Sequence, residues 1–297
     1  MAFSGLLVDL QDRLRPLQDL MFPKLALLEI QDSGLRGHQL RQDEPLPLSL
    51  MAPLPPLTCR DGLPLEKDAL GDLIGDLLLN EKLLEAYILA VLPFEASHWR
   101  VLVRPFQTPP NDPVEELRRL DPSLSLPFSL NDAYIDLHPL PGKDDQMLMV
   151  ASQRRIVDDW IEVFRLAGVK LERLAPAQGC LLAALADDLI DSHDDELVAF
   201  LLIRDNDCML WFFHREIPVF EKIVPLNPSE LVKELRLALA FYHRQEPGLR
   251  RLRLLQSSAL DEQEKLEQEL QVTAEIITPE PYGSLVLKGL AVKEAVR

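Results

Sequence analysis

Apolar residues recur along this chain at two different periods, and the switches between them divide it into elements. Phe3, Leu7, Leu10, Leu14, Leu17 and Met21 fall at spacings of four and three, a single seam on a helix whose other positions carry Asp9, Asp12, Arg13 and Asp19. Pro23 ends that helix, and its seam needs a surface to cover it: the chain's own body, a second copy or a protein partner. Leu25 to Ile30 and Leu35 to Leu40 then read as two strands joined by the turn-forming cluster Gln31-Asp32-Ser33-Gly34. Residues 45–64 hold six prolines, which predicts a rigid extended connection or an edge. Glu66 to Glu85 is an amphipathic helix with Leu70, Leu73, Leu77 and Leu84 on one face, followed by a short apolar strand at Tyr87 to Leu92.

Residues 94–174 read as a separate α+β insert. Strands are expected at Trp99 to Arg104, Ala133 to Leu137, Met147 to Ala151 and Val169 to Leu174, with helices at Pro113 to Leu120 and Arg154 to Ala167. Gly168 suits the left-handed position that closes the second helix. Pro176 to Ile190 is helical. The six acids between Asp187 and Glu196, around His193, lack the ligand spacing and glycine of a calcium loop, so a solvated linker is expected. Strands at 197–203, 208–213 and 217–224, a helix at 228–245, a strand at 252–255, a helix at 260–270, a strand at 272–277 and a final helix from about Tyr282 complete the series.

The order repeats: hairpin, third extended segment, helix and strand occur near residues 25–92 and again near 197–255. Such a duplication resembles the α/β actin and ribonuclease-H-like superfamily, in which a nucleotide sits between two halves. The expected layout is an N-terminal amphipathic helix (1–23), a first half (24–93 with 175–192 and 285–297), an inserted subdomain (94–174) and a second half (193–284).

Charge narrows the partners. With 31 basic and 48 acidic residues the formal charge is −17, which repels phosphate backbones and anionic lipid headgroups, so neither nucleic-acid binding nor direct membrane insertion is expected. The longest wholly apolar run, Leu197 to Ile203, is far shorter than the roughly 18 residues of a membrane span. No basic residue precedes Asp9, so the start does not read as a signal peptide and a cytoplasmic location is expected. Three cysteines without a C-x-x-C read as small core residues. Hydrolase, phosphate-loop and zinc-protease motifs are absent. Asp158 and Asp159, successive on a helix, cannot face one another as an acid/base pair, and Arg250, Arg251 and Arg253 are expected in ion pairs or at a sheet edge.

Specific residues carry a closer resemblance. Met147-Leu148-Met149-Val150-Ala151-Ser152, then Ile156, Phe164, Ala167-Gly168-Val169 and a helix started by Pro176, together with Leu126-Pro127-Phe128, Tyr134-Ile135-Asp136 and Gly289-Leu290-Ala291-Val292-Lys293-Glu294, resemble the PilM family, actin-like cytoplasmic proteins of type IV pilus assembly. The resemblance runs in order over residues 25–297. It implies an FtsA-like pair of halves and a cytoplasmic adaptor, peripheral to the inner membrane through its partners. That adaptor would hold the N-terminal tail of a PilN-like single-span protein and connect it to the pilus motor. A tail groove between the first half and the insert would be lined by Phe94, Trp99 and Phe128, if these are not ordinary core aromatics. The cytoplasmic region of GspL from type II secretion shares the fold and is an alternative, although this sequence shows no membrane span.

The same resemblance identifies three nucleotide loops, and each departs from the superfamily pattern. Actin-like ATPases need a carboxylate for the metal's waters and glycines that let backbone amides approach phosphate. In the first hairpin Glu29 falls at the acidic position, Gln31 at the close-approach glycine and Arg36 near the basic position, with Asp32, Ser33 and Gly34 in the turn. In the second, Leu202 replaces the aspartate and Arg204 the glycine; in the adenosine loop Gln256-Ser257-Ser258 replaces a glycine-rich turn. The expectation is a pseudo-ATPase without catalytic residues. The alternative is a nucleotide switch or weak ATPase that holds ATP with magnesium through Glu29, Ser33, Gly34 and Arg36.

Overall fold

The computed structural model describes residues 24–40, 49–103, 113–120, 124–140, 143–190, 192–204 and 207–295. The expected N-terminal helix, and self-association through it, fall outside those residues. The first half opens with an antiparallel meander of β1 (Leu25–Ile30), β2 (Gly34–Leu40) and β3 (Ser49–Pro53). The proline-rich stretch supplies the edge strand β3 and then a small hairpin, β4 (Cys59–Arg60) with β5 (Leu63–Pro64). Helix α1 (Lys67–Asn80) buries Leu70, Ile74 and Leu78 and leads to β6 (Tyr87–Leu92), which lies parallel to β1. The helix stops five residues before Glu85: Lys82 turns left-handed (φ 57°), and the Leu83 N–H reaches back to the Leu78 carbonyl at 2.7 Å, closing the last turn.

After a 3₁₀ turn at Phe94–Ala96 come β7 (Ser97–Val103), α2 (Pro113–Leu120), β8 (Ala133–Leu140) and β9 (Lys143–Gln153), which make a three-stranded antiparallel sheet in the order β7-β9-β8. Its own small core holds Leu102, Leu117, Met149 and Ala151. The insert ends there. Helix α3 (Arg154–Leu166) returns to pack its Trp160, Val163 and Phe164 into the core beneath α1, and Gly168 (φ 70°) closes it. Strand β10 (Lys170–Pro176) then pairs parallel with β6. The expected insert of 94–174 is therefore too long: the residues of α3 and β10 belong to the first half, whose sheet order is β10-β6-β1-β2-β3. Helix α4 (Ala177–Ile190) completes this half.

The second half repeats the plan. A meander of β11 (Glu196–Ile203), β12 (Asp207–His214) and β13 (Ile217–Pro225) is followed by α5 (Pro228–Gln245), whose N-terminus is capped by Asn227 with Pro228 at the first helical position. Strand β14 (Arg251–Gln256) lies parallel to β11, and after α6 (Gln263–Leu270) β15 (Ala274–Ile276) lies parallel to β14, giving the order β13-β12-β11-β14-β15. Arg251 and Arg253 enter ion pairs with Asp195 and Glu275.

The final helix α7 (Leu285–Ala295) and α4 lie between the two sheets. Each buries most of its apolar residues, and they share one core with Leu27 and Val91 of the first sheet and Phe200, Trp211 and Leu255 of the second. Their approach is so close that a Cβ on Gly289 would sit 1.7 Å from the Cys180 carbonyl oxygen. All three cysteines are buried thiols, and burial pushes Cys180 and Cys208 up to about 12. No helix among the described residues is long and apolar enough to cross a membrane.

Candidate functional site

The first of the three loops that the resemblance assigns to nucleotide is the β1–β2 turn, closed by reciprocal bonds between Gln31 and Gly34 (N···O 2.9 and 3.3 Å). Glu29 is 3% exposed, and the Gln31 side-chain amide donates to its Oε1 at 2.7 Å. The residue at the glycine position thus reaches over the carboxylate expected to hold a metal's waters. Arg36 stands opposite Glu29 in the strand register, on the same face. Asp32 points elsewhere. Its carboxylate accepts from the Asp61 and Gly62 amides at 2.8 and 3.1 Å and from the Cys59 thiol at 3.3 Å, tying the turn to the β4–β5 hairpin. Burial, reinforced by Asp32, pushes the Cys59 thiol well above its ordinary value. Ser33 is exposed at the tip, and its carbonyl accepts the Leu54 N–H at 3.0 Å.

In the second loop Leu202 packs against the central apolar cluster, where it offers nothing to a cation. Arg204 carries the most informative geometry. Its Nε donates to Asp207 Oδ1 at 2.6 Å and its Nη1 to Glu95 Oε1 at 2.5 Å. Asp207 starts β12, whereas Glu95 sits in the 3₁₀ turn after β6, so this one guanidinium joins the two halves. Burial opposes its charge and the two carboxylates outweigh that, holding the guanidinium above its ordinary value. In the third loop Gln256 is fully buried and donates to Gln263 Oε1 at 2.8 Å. Ser257 Oγ accepts the Ile203 N–H at 2.9 Å, which closes the end of β14 onto β11, and Ser258 is exposed. The first carboxylate is covered by Gln31, the second is replaced by leucine, and a glycine's place is taken by an arginine whose guanidinium already binds two carboxylates.

The three aromatic candidates separate. Phe94 belongs to the central core, and its carbonyl accepts from Gln178 Nε2 at 3.0 Å. Phe128 packs on the insert's own cluster, its ring 5.6 Å from that of His98. Trp99 stands edge-on to Trp211 at 5.8 Å and lines a groove of about 440 Å³ with Val101, Leu126, Pro127, Phe220 and Glu221. This groove lies between the insert and β13 of the second half, beside the edge strand β7. Sequence reasoning missed Glu95 and Glu221: neither stands in a motif, and Glu95 is 109 residues from the arginine it binds.

No protein-family model and no curated protein matches the sequence. Solved structures do match the fold. The structure of the PilM–PilN type IV pilus biogenesis complex superposes with a TM-score of 0.66 at 18% identity, covering 91% of this chain and 98% of that one. A Bacteroides thetaiotaomicron protein of unknown function with an actin-like ATPase fold gives a TM-score of 0.54 at 9% identity over 90% and 95% of the two chains. The cytoplasmic domain of EpsL, an inner membrane component of the Vibrio cholerae type II secretion system, gives 0.51 at 12% identity over 92% and 94%. The chain has the actin-like fold, duplicated in two halves and carrying an inserted three-stranded subdomain.

Proposed function

We propose that this protein is a non-catalytic adaptor at the cytoplasmic face of a bacterial inner membrane, which holds the tail of a PilN-like membrane partner and joins it to motor components of a type IV pilus. The observation that carries the proposal is the state of the three nucleotide loops in an otherwise intact actin-like fold. Gln31 covers Glu29, Arg204 binds Glu95 and Asp207, and Ser257 binds the end of β11, so side chains stand where the superfamily's loops are open. Likeness over 91% of the chain to a protein solved together with PilN supports the choice of partner. A docking surface for an extended tail needs apolar pockets and main-chain partners but no phosphate loop.

The test pairs a binding assay with calorimetry. A synthetic PilN-like tail from the same genome should bind the full chain, and ATP with magnesium should show no binding tighter than about 100 μM, roughly −5.5 kcal/mol. Absence of tail binding removes the adaptor reading. Tight ATP binding instead favours the second reading, a nucleotide switch using Glu29, Ser33, Gly34 and Arg36, for which one observation speaks: Glu29 Oε2 is buried without a hydrogen-bond partner among the described residues. Service in type II secretion, as for EpsL, is separated by offering the corresponding tails of both systems.

A further inference from the structure

Two sheet edges with no further strand among the described residues approach one another at the groove: β7, at the edge of the inserted sheet, and β13, at the edge of the second. Unpaired main-chain groups on an edge strand are a template for another extended chain. The two edges are not equally open. β13 carries Pro218 and Pro225 near its ends, and its Lys222 is paired to Glu234 at 2.7 Å. β7 has no proline from Ser97 to Val103, and the groove beside it is lined by Leu126, Pro127, Val219 and Phe220 together with the polar His98, Arg100 and Ser125. Phe220 is 43% exposed, leaving uncovered apolar surface on that wall.

Glu221 lines the same groove. The Trp99 side chain acts on it as a hydrogen-bond donor, but its Oε2 is buried and has no partner among the described residues. Burial, with the nearby charge of Glu95, holds this carboxyl above the usual carboxylate range. Glu95 itself is served by Arg204 and Glu221 by no cation among the described residues. A carboxylate removed from water is stabilised by a charge-assisted donor, most strongly by an arginine fork or a lysine.

Resting on the adaptor reading, we propose that the free edge of β7 is the docking site and that its occupant is an extended peptide, which pairs with the β7 main chain and sets one arginine or lysine side chain on Glu221. The experiment titrates the full chain with pools of synthetic ten-residue peptides, apolar except for one fixed position held as arginine, lysine, glutamine or glutamate. Tryptophan fluorescence reads binding and amide hydrogen exchange reads location. The arginine and lysine pools should bind about tenfold or more tightly than the glutamine pool, the glutamate pool should not bind, and exchange should slow across residues 97–103. Glu221→Gln should erase the preference for a cation while leaving the main-chain protection in place.

Equal binding of the arginine and glutamine pools, no binding of any pool, or a preference unchanged in E221Q overturns the proposal. So does slow exchange, in the protein alone, of those amides of residues 97–103 that do not bond to β9. The PilN-like tail, titrated in parallel, separates the two readings. A tail that binds wild type and E221Q alike, without protecting 97–103, leaves the adaptor standing and this site refuted. Arginine peptides that protect β7 while the tail binds nowhere leave the site standing and the named partner refuted.

Discussion

Replacing Arg204 by alanine removes the cation that two carboxylates share across the halves. The side chains of Arg204, Glu95 and Asp207 are 18%, 21% and 35% exposed, so the cluster is mostly withdrawn from water but not sealed. Taking one partner from a fully buried pair costs about 3–5 kcal/mol, most of it the charge left behind. Scaled for this partial exposure, R204A should cost about 2–3 kcal/mol. For a chain of this size each kcal/mol moves the melting midpoint by about 2 °C, so the midpoint should fall by about 4–6 °C. Converting Glu95 to glutamine in the same chain removes the stranded charge, and R204A/E95Q should recover about 2 °C of that loss. Because the pair is poorly exposed, the deficit should persist in about 0.5 M salt. Melting curves of wild type, both single variants and the double variant close the cycle. A shift below about 1 °C for R204A, or effects of the two substitutions that simply add, would refute the claim that this ion pair ties the halves together.

Three further outcomes follow from the geometry. Gly289→Ala drives a methyl group to 1.7 Å from the Cys180 carbonyl in the crossing of α4 and α7; the expected loss is more than about 3 kcal/mol, read by urea denaturation or as failure to recover soluble protein. Asp136 is held down to about 2, burial working against its charge while His138 and Lys293 together outweigh burial. A depressed folded-state value means that its stabilisation is complete above about pH 4 and is lost as pH falls toward 2, so Asp136→Asn should flatten that part of the acid limb in melting curves. Asp32→Ala releases the amides of Asp61 and Gly62 and should cost about 1–2 kcal/mol in denaturant titration, with faster amide exchange confined to the β4–β5 hairpin.

Much of the fold is legible in the sequence because its elements differ sharply in period and punctuation. The hairpin around Gln31 to Gly34, helix α2, helix α5 with its Asn227-Pro228 start, and the strand-strand-strand-helix-strand repeat can each be read from spacing and turn residues. What spacing does not carry is partnership. Lys170 to Pro176 reads as a strand whichever sheet receives it, and only the parallel register with β6 places it in the first half. The site divides in the same way. Glu29 and Gln31 are two residues apart, so their pairing follows from a single strand and turn, whereas the bond from Asp32 to the amides after Cys59 depends on how the proline-rich stretch folds back. Phe94, Trp99 and Phe128 look alike as aromatics near one junction, but a 3₁₀ turn, the edge strand β7 and the loop before β8 carry them to three different environments.

The crossing of α4 and α7 also constrains how this chain is made. The inner face of the first sheet, begun at Leu27, is completed by Val286, Leu287 and Leu290, which share its cluster. A ribosome releases residue 27 long before residue 290, so until the end of the chain is made the first sheet's inner face has only α4 to cover it. Closure of such distant contacts is slow and leaves apolar surface open to aggregation in the interval. A chain cut short before residues 285–295 leaves apolar residues of both sheets without the helix that they share.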